Sequence, residues 1–158
     1  MSNETFNFLP GGRSVDHRGQ VSYVNEFPFR EYKRFYVIEN REVGYVRAWH
    51  GHKVESKAYF LVSGSAMVGA VKIDSWESPS PECEVQTRIL DSNSPGALFI
   101  PAGYANGFMS LEPNTKVLLF SDFSLEESLE DDIRFDPYLW DPWTALRAKL
   151  SLSEGGVQ

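Results

Sequence analysis

Two histidines separated by a single residue, His50 and His52, are the side chains of this sequence best suited to chemistry. Side chains two residues apart on an extended strand point to the same face, so both imidazoles are predicted to face one side, as are Lys57 and Tyr59 on the next predicted strand. A neutral imidazole can remove a proton from a carbon beside a carbonyl group. The ammonium group of Lys57 could then hold the enolate oxygen, without a metal or an organic cofactor.

The elements that must position these side chains are predicted to be strands. Short runs of β-branched and aromatic residues, broken by turn residues, occupy the chain between residues 21 and 123. This pattern is typical of an all-β sandwich or barrel. Gly64-Ser65 is predicted to be a tight hairpin turn. The predicted strands are 21–26, 34–39, 45–50, 57–63, 66–73, 84–90, 97–100, 107–111 and 116–121.

Three segments lie outside this strand pattern. Residues 74–81 are rich in Ser and Pro and are predicted to form an inserted loop at the rim of the barrel. The acidic run 126–132 is predicted to be a solvated turn or short helix and not a metal site. Residues 143–152 are predicted to form one short helix packed on the barrel, and residues 155–158 to fray.

Composition limits the class of protein. The 158 residues favour a single domain, 1–158, with a core from about residue 16 to residue 143. The net charge of -7 argues against nucleic acid or an anionic membrane as a partner. A single cysteine excludes an internal disulfide. No signal sequence or membrane helix is apparent, so a cytoplasmic location is the expectation.

The segment from Gly44 to Gly64 resembles the metal-binding motif of cupins, in which His-x-His is followed by a Glu and a closing Gly. Lys57 stands where that motif has its Glu. Residues 101–106 are similar to the second cupin motif, Pro-x-Gly-x-x-His, but Asn106 replaces the His. An ammonium group repels a divalent cation, which prefers imidazole and carboxylate ligands. The resemblance implies an all-β, RmlC-like cupin jelly-roll barrel that has lost its metal site and uses no cofactor.

Most of the chain, from residue 16 to about residue 143, further resembles the cupin sugar-nucleotide isomerases. Similarity to the 3,4-ketoisomerases, which move the ketone of a dTDP-4-keto-6-deoxyglucose, lies in residues 27–29, 33–36 and 47–53. Similarity to the dTDP-4-dehydrorhamnose 3,5-epimerases lies in residues 71–74, 98–108 and 133–137. The resemblance implies an isomerase of a nucleotide-linked, dTDP-type 4-keto-6-deoxyhexose that is 3,5-epimerase-like. The alternatives are a 3,4-ketoisomerase and a non-catalytic cupin that binds a sugar nucleotide.

The resemblance also implies roles for individual catalytic residues. Residues 47–50 match the epimerase segment that ends in the base, which assigns that role to His50, and Lys57 matches the enolate-binding Lys. Tyr36 and His52 match the ketoisomerase branch, and Tyr36 is nominated as the acid. The epimerases instead have a Tyr acid after the last long strand, where this chain has Phe123. No Asp partner for His50 is recognised near the C-terminus, where residues 153–154 are the nearest candidate.

Substrate binding is assigned to four basic residues and one amide. Arg groups bind phosphate oxygens through two donors at once, and the matching motifs contain Arg18, Arg34, Arg47 and Lys53. Asn106, in place of the family's interior His, completes the set. Arg47 and His50 have opposite parity on their strand, so both can line one cavity only if the strand contains a bulge.

Two further expectations concern the assembly and a rival chemistry. Related cupins exchange strands in dimers, so a homodimer that binds a nucleotide sugar is expected. A metal-dependent oxygenase using His50, His52 and Glu55 is a weaker alternative, because Glu55 is misplaced for the cupin motif.

Overall fold

Antiparallel β-strands make up most of the chain in the computed structural model, which describes residues 5–150. The strands are β1 (Asn7–Pro10), β2 (Gly12–Asp16), β3 (Gly19–Tyr23), β4 (Arg34–Glu39), β5 (Val46–His52), β6 (Lys57–Ser63), β7 (Ser65–Lys72), β8 (Val85–Asp91), β9 (Gly96–Ile100), β10 (Tyr104–Ser110), β11 (Lys116–Ser121) and β12 (Ile133–Arg134), and the α-helices are α1 (Leu125–Leu129) and α2 (Trp143–Lys149). The all-β class predicted from the sequence is confirmed.

Two five-stranded sheets face each other. The first sheet has the strand order β1-β9-β6-β11-β4 and the second has the order β12-β5-β10-β7-β8, while β2 and β3 form a separate hairpin. The main apolar core lies between the sheets, where Tyr59 and Leu119 of the first sheet pack with Val68 and Phe108 of the second. Because this core occupies only part of the space between the sheets, the remainder is available for polar side chains.

The outer face of the second sheet is covered by the C-terminal segment. Trp143 of α2 is fully buried against Trp49 and Met67, with ring centroids of the two Trp residues 5.1 Å apart. This cover explains why β7 is buried on both faces along nearly its whole length. A strand buried on both sides has the near-continuous apolar sequence that β7 shows.

Most predicted strands agree with the structure to within one to three residues. The bounds of β4, β6 and β11 are those predicted, and the hairpin turn between β6 and β7 is confirmed, with Gly64 at φ 78°. The predicted strand 21–26 is shifted relative to β3, which begins at Gly19, ends at Tyr23 and pairs with β2. The prediction omits β1 and β2, whose short sequences contain Pro, Gly and charged residues and therefore lack a clear period of two.

Corrections also apply to the segments outside the strands. Part of the acidic run 126–132 lies in the short helix α1, as predicted, but Asp131 within the run is buried and not solvated. α2 ends at Lys149, and the predicted fraying of 155–158 lies outside the described residues. Within residues 5–150, no helix is long and apolar enough to cross a membrane.

Candidate active site

A bulge in β5 brings Arg47 and His50 to the same side of the strand. In the pairing of β5 with β10, Asn106 lies opposite His50, but Phe108, two residues further along β10, lies opposite Arg47. Three residues of β5 therefore span two residues of β10, and the extra residue reverses the parity. Both side chains therefore line one cavity between the sheets. Their opposite parity had required such a bulge if both were to line the same cavity.

This cavity has a volume of about 220 Å³. Seven of the nine predicted site residues line it, namely Arg34, Tyr36, Arg47, His50, His52, Lys57 and Asn106. Arg18 and Lys53 do not. Arg18 pairs with Asp16 at 2.6 Å in the β2–β3 hairpin, and the exposed Lys53 has its Nζ 5.9 Å from the centroid of the Trp76 ring. Their predicted role in binding substrate is thus not supported by any contact within this cavity.

Gly51 leaves room for an aromatic ring behind the two histidines of β5. It lies between them on the opposite face of β5, where a Cβ atom would come within 2.7 Å of the Trp76 ring. Trp76 belongs to the loop 74–81, which therefore packs behind β5 and stacks on Phe135 at a centroid distance of 6.2 Å. The loop supports the strand that carries His50 and His52 from outside the cavity.

His50 has the properties of a general base. Burial, followed by the nearby Arg134 guanidinium, lowers its pKa from 6.5 to about 4. Its Nδ1 lies 3.9 Å from Oδ1 of Asp132, which is longer than a hydrogen bond but within reach of an ion pair. Burial raises the pKa of Asp132, but the hydrogen-bonded Arg134 outweighs burial and the net pKa is lowered. His50 is therefore neutral at physiological pH and has a carboxylate beside it.

The pKa of His50 predicts where activity is lost in acid. The ring accepts a proton only as pH falls through about 4, so any reaction that requires neutral His50 should persist well below pH 6.5. In the unfolded chain the ring is protonated below its ordinary pKa near 6.5, whereas in the folded protein it stays neutral down to about pH 4. The free energy of unfolding should therefore fall as pH falls from 6.5 towards 4. Titration of the His50 ring by NMR should give a midpoint near pH 4 in the folded protein and near pH 6.5 in the urea-unfolded chain. Equal midpoints would contradict this burial effect.

Lys57 and Tyr36 form the wall opposite His50. Both belong to the first sheet, whereas His50 belongs to the second. The Lys57 ammonium donates a hydrogen bond to the Tyr36 hydroxyl at 2.6 Å, and Lys57 is only 8% exposed. A proton-accepting ring thus faces a cation and a phenol across the cavity.

Asn106 is held between the two sheets. The buried Tyr59 hydroxyl donates to Asn106 Oδ1 at 2.6 Å, and Asn106 Nδ2 donates to the His50 carbonyl at 3.3 Å. Burial raises the pKa of Tyr59 far above its usual range, which keeps this hydroxyl a donor. Asn106 therefore supports the backbone of His50 from the position at which cupins carry a metal ligand.

Asp131 anchors the turn between β5 and β6. Its carboxylate accepts hydrogen bonds from the backbone N–H groups of Lys53, Val54 and Glu55 at 2.8 to 2.9 Å. Its carbonyl accepts a hydrogen bond at 2.5 Å from Nδ1 of His52, whose pKa is lowered by burial and then by Lys57. This residue fixes both the tautomer of His52 and the path of the chain towards Lys57.

Replacing Asp131 with Ala should lower the free energy of unfolding by about 3–5 kcal/mol, because three backbone donors lose a charged acceptor. Chemical denaturation of the two proteins measures this difference. The control is Asp136→Ala, which removes an exposed carboxylate that accepts from Tyr138 N. Equal losses in the two variants would show that Asp131 is not an anchor.

Several cavity residues were not recognised in the sequence. Asp132 and Arg134 come from the segment after α1, and Leu125 and Leu129 of α1 also line the cavity. Glu55 also lines the cavity, although its position in the sequence does not match the Glu of the cupin motif. The capping box of Ser124, read with the acidic run, could have indicated that a helix begins there.

The donor set fits a divalent metal poorly. A Lys and an Asn occupy two of the four cupin ligand positions, and the Lys57 ammonium lies inside the same cavity as His50 and His52. Within residues 5–150 there is no group of three or more His, Cys, Asp or Glu side chains arranged to hold a metal ion.

A family comparison decides which proteins this site belongs with. The model of the family described as dTDP-4-dehydrorhamnose 3,5-epimerase matches residues 26–154. The chain belongs to this family. As a member of the dTDP-4-dehydrorhamnose 3,5-epimerase family, it is an isomerase. No curated protein sequence matches the chain closely enough to count as a relative.

Solved structures extend this comparison. The dTDP-4-dehydrorhamnose 3,5-epimerase of Bacillus anthracis, solved with TDP and PPi bound, has a TM-score of 0.69 at 20% identity over 91% of this chain and 87% of its own. A 3,4-ketoisomerase from Helicobacter canadensis has a TM-score of 0.64 at 21% identity over 85% and 94%. A 3'-monoepimerase from Streptomyces bikiniensis, in complex with dTDP-quinovose, has a TM-score of 0.68 at 18% identity over 87% and 74%. These likenesses confirm the RmlC-like cupin fold expected for the family.

Proposed function

We propose that the chain is a metal-independent epimerase of a dTDP-linked 4-keto-6-deoxyhexose. The observation that carries this proposal is the placement of neutral His50 across one cavity from Lys57 and Tyr36. Epimerisation beside a ketone needs a base on one face of the sugar, an acid on the other and a positive charge at the ketone oxygen. The cavity supplies one group for each of these tasks.

In the proposed reaction, His50 removes the proton from the carbon next to the C4 ketone. The electron pair of the broken C–H bond forms a C=C bond to C4, and the π electrons of the C4 carbonyl move to its oxygen, which becomes an enolate oxygen beside the Lys57 ammonium. Tyr36 then returns a proton to the same carbon from the opposite face, which inverts the stereocentre. The enzyme regains its proton balance when His50 releases a proton and Tyr36 takes one up from solvent.

The nucleotide part of the substrate is proposed from charge. Arg34 and Arg47 line the cavity, and Arg134 lies at its rim beside Asp132 at 2.9 Å. Guanidinium groups in such positions suit the diphosphate of a sugar nucleotide. The structures of relatives with TDP bound support a dTDP-linked substrate.

We also propose that the protein is a homodimer. Strand β4 is at the edge of the first sheet and exposes the apolar side chains Phe35 and Val37, which are 67% and 53% exposed. An edge strand with apolar side chains favours association with a second copy. Sedimentation equilibrium at micromolar concentration should give twice the mass of the chain, and a single-chain mass would contradict the proposal.

A second candidate is a 3,4-keto shift. Tyr36, His50 and His52, the three residues that match the ketoisomerase branch, line the same cavity. In this reaction the proton removed from C3 is replaced by one at C4, and the ketone moves to C3. The chemistry begins with the same proton abstraction by His50, so the two candidates differ only in where the proton is returned.

Incubation of the enzyme with dTDP-4-keto-6-deoxyglucose in D₂O separates these candidates. Deuterium at C3 and C5 with the ketone still at C4, observed by NMR, is the result expected for the epimerase. A ketone at C3 would indicate the keto shift, and deuterium at C3 alone would indicate a monoepimerase. Measurable binding without any deuterium uptake would indicate a non-catalytic sugar-nucleotide-binding protein and would overturn the proposal.

The Tyr36→Phe variant tests the role of the acid. His50 can still remove and return a proton on its own face, so deuterium exchange at C3 should continue. Formation of the epimer should fall by about 10²- to 10⁴-fold, because no acid remains on the opposite face. NMR reports exchange and epimer formation in the same sample, and an equal loss of both would assign Tyr36 a different role.

A further inference from the structure

Glu55 is a buried carboxylate in the cavity wall that the proposed reaction does not use. It is 1% exposed, and Ser121 Oγ donates a short hydrogen bond to its Oε2. Among the described residues, its Oε1 has no hydrogen-bond partner. A carboxylate in this setting is costly unless nearby charges compensate for the lost hydration.

The compensating groups are residues of the cavity itself. Glu55 Oε2 lies 3.5 Å from Lys57 Nζ and 3.9 Å from a guanidinium nitrogen of Arg34, and Oε1 lies 3.3 Å from His52 Nδ1. The backbone of Glu55 is fixed in turn, since its N–H donates to Asp131. The carboxylate is therefore held in one position in the cavity wall, and Lys57 carries the ammonium group nearest to it.

We propose that Glu55 is a positioning residue that holds the Lys57 ammonium in place for the enolate oxygen. The Lys57 ammonium is held by an ion pair with Glu55 Oε2 at 3.5 Å and by its hydrogen bond to the Tyr36 hydroxyl at 2.6 Å. A neighbouring carboxylate also stabilises the charged form of a buried amine. This inference rests on the proposed role of Lys57, and Glu55 itself does not touch the reacting atoms.

The Glu55→Gln variant removes the charge but keeps an oxygen that can accept from Ser121. The rate of deuterium uptake at C3 under saturating substrate should fall by about 10- to 100-fold, because the enolate is formed beside a misplaced cation. The KM should change by less than about threefold. The matched control is Glu39→Gln, which removes the carboxylate of an exposed pair with Lys116 at 3.9 Å and should leave the rate unchanged.

A double-variant cycle tests whether Glu55 acts through Lys57. In a protein that already carries Lys57→Met, the change Glu55→Gln should cause no more than about a twofold further loss of exchange. Losses that multiply would show that Glu55 acts independently of Lys57 and would overturn the inference. A purely structural role of Glu55 would likewise produce multiplying losses.

Urea unfolding of the same four proteins tests the pairing without any substrate. Each single variant leaves one buried charge without its partner, so the double variant should lose less stability than the two single losses together. Additive losses would overturn the inference. If the wild type takes up no deuterium, the proposed function fails, while this unfolding cycle still decides whether Glu55 and Lys57 are coupled.

Discussion

Replacing His50 with Asn should reduce deuterium uptake at C3 of dTDP-4-keto-6-deoxyglucose by about 10²- to 10⁴-fold. The variant keeps a polar side chain of similar size but has no nitrogen that can accept the proton. Binding of dTDP should change by less than about threefold, because His50 contributes to proton transfer and not to the recognition of phosphate. NMR in D₂O measures the exchange, and calorimetric titration measures the binding.

The matched control for His50 is His17→Asn. His17 is exposed in the β2–β3 hairpin and does not line the cavity. This variant should exchange deuterium at the wild-type rate. Persistent exchange in His50→Asn would remove His50 from the mechanism, whereas loss of dTDP binding together with exchange would point to a structural role.

Replacing Lys57 with Met should also have a large effect, about 10²- to 10³-fold on the rate of exchange. Methionine matches the length of the side chain but cannot stabilise the negative charge that develops on the C4 oxygen. The loss should appear in the rate at saturating substrate, because the ketone of the ground state carries little charge. Exchange measured over a range of substrate concentrations separates this effect from weaker binding.

Lys116→Met is the control for Lys57. Lys116 is a half-exposed lysine at the start of β11 and pairs with Glu39 at the surface. Its replacement should leave exchange unchanged. A Lys57→Met enzyme that exchanges as fast as this control would show that enolate formation does not depend on the Lys57 charge.

Local sequence pattern was sufficient to predict much of the fold and part of the site. The parity of an extended strand placed His50 and His52 on one face, and the apolar runs gave the bounds of β4, β6 and β11. These features depend on a period of two along one segment. Strand parity and charge also indicated Lys57, and the resemblance to the family added Tyr36; the structure brings these two side chains within 2.6 Å of each other.

The remaining site residues depend on contacts between distant segments. Asp131 and Asp132 belong to an acidic run that in sequence is typical of a solvated surface, yet one anchors the β5–β6 turn and the other lies beside His50. Glu55 is out of register with the cupin motif and reaches the cavity because that turn is fixed by Asp131. The spacing of residues in the sequence cannot predict these contacts, because they form only when the sheets pack.

The basic residues show the same limit. Arg47 lines the cavity only because β5 contains a bulge. The parity of Arg47 and His50 indicates that a bulge is needed but not where it lies. Arg18 and Lys53 have the residue types and motifs expected for phosphate binding, but their side chains lie outside the described cavity. Arg134, which was not predicted to be a site residue, is at the rim.

The central claim is that this cavity removes a proton next to the ketone without a metal ion. The most direct measurement is deuterium uptake at C3 of dTDP-4-keto-6-deoxyglucose, followed by NMR in D₂O, with enzyme that has been treated with a chelator and dialysed. The expected result is uptake at the rate of the untreated enzyme, with no increase when divalent metal is added. No uptake, or uptake that appears only when metal is restored, would contradict it.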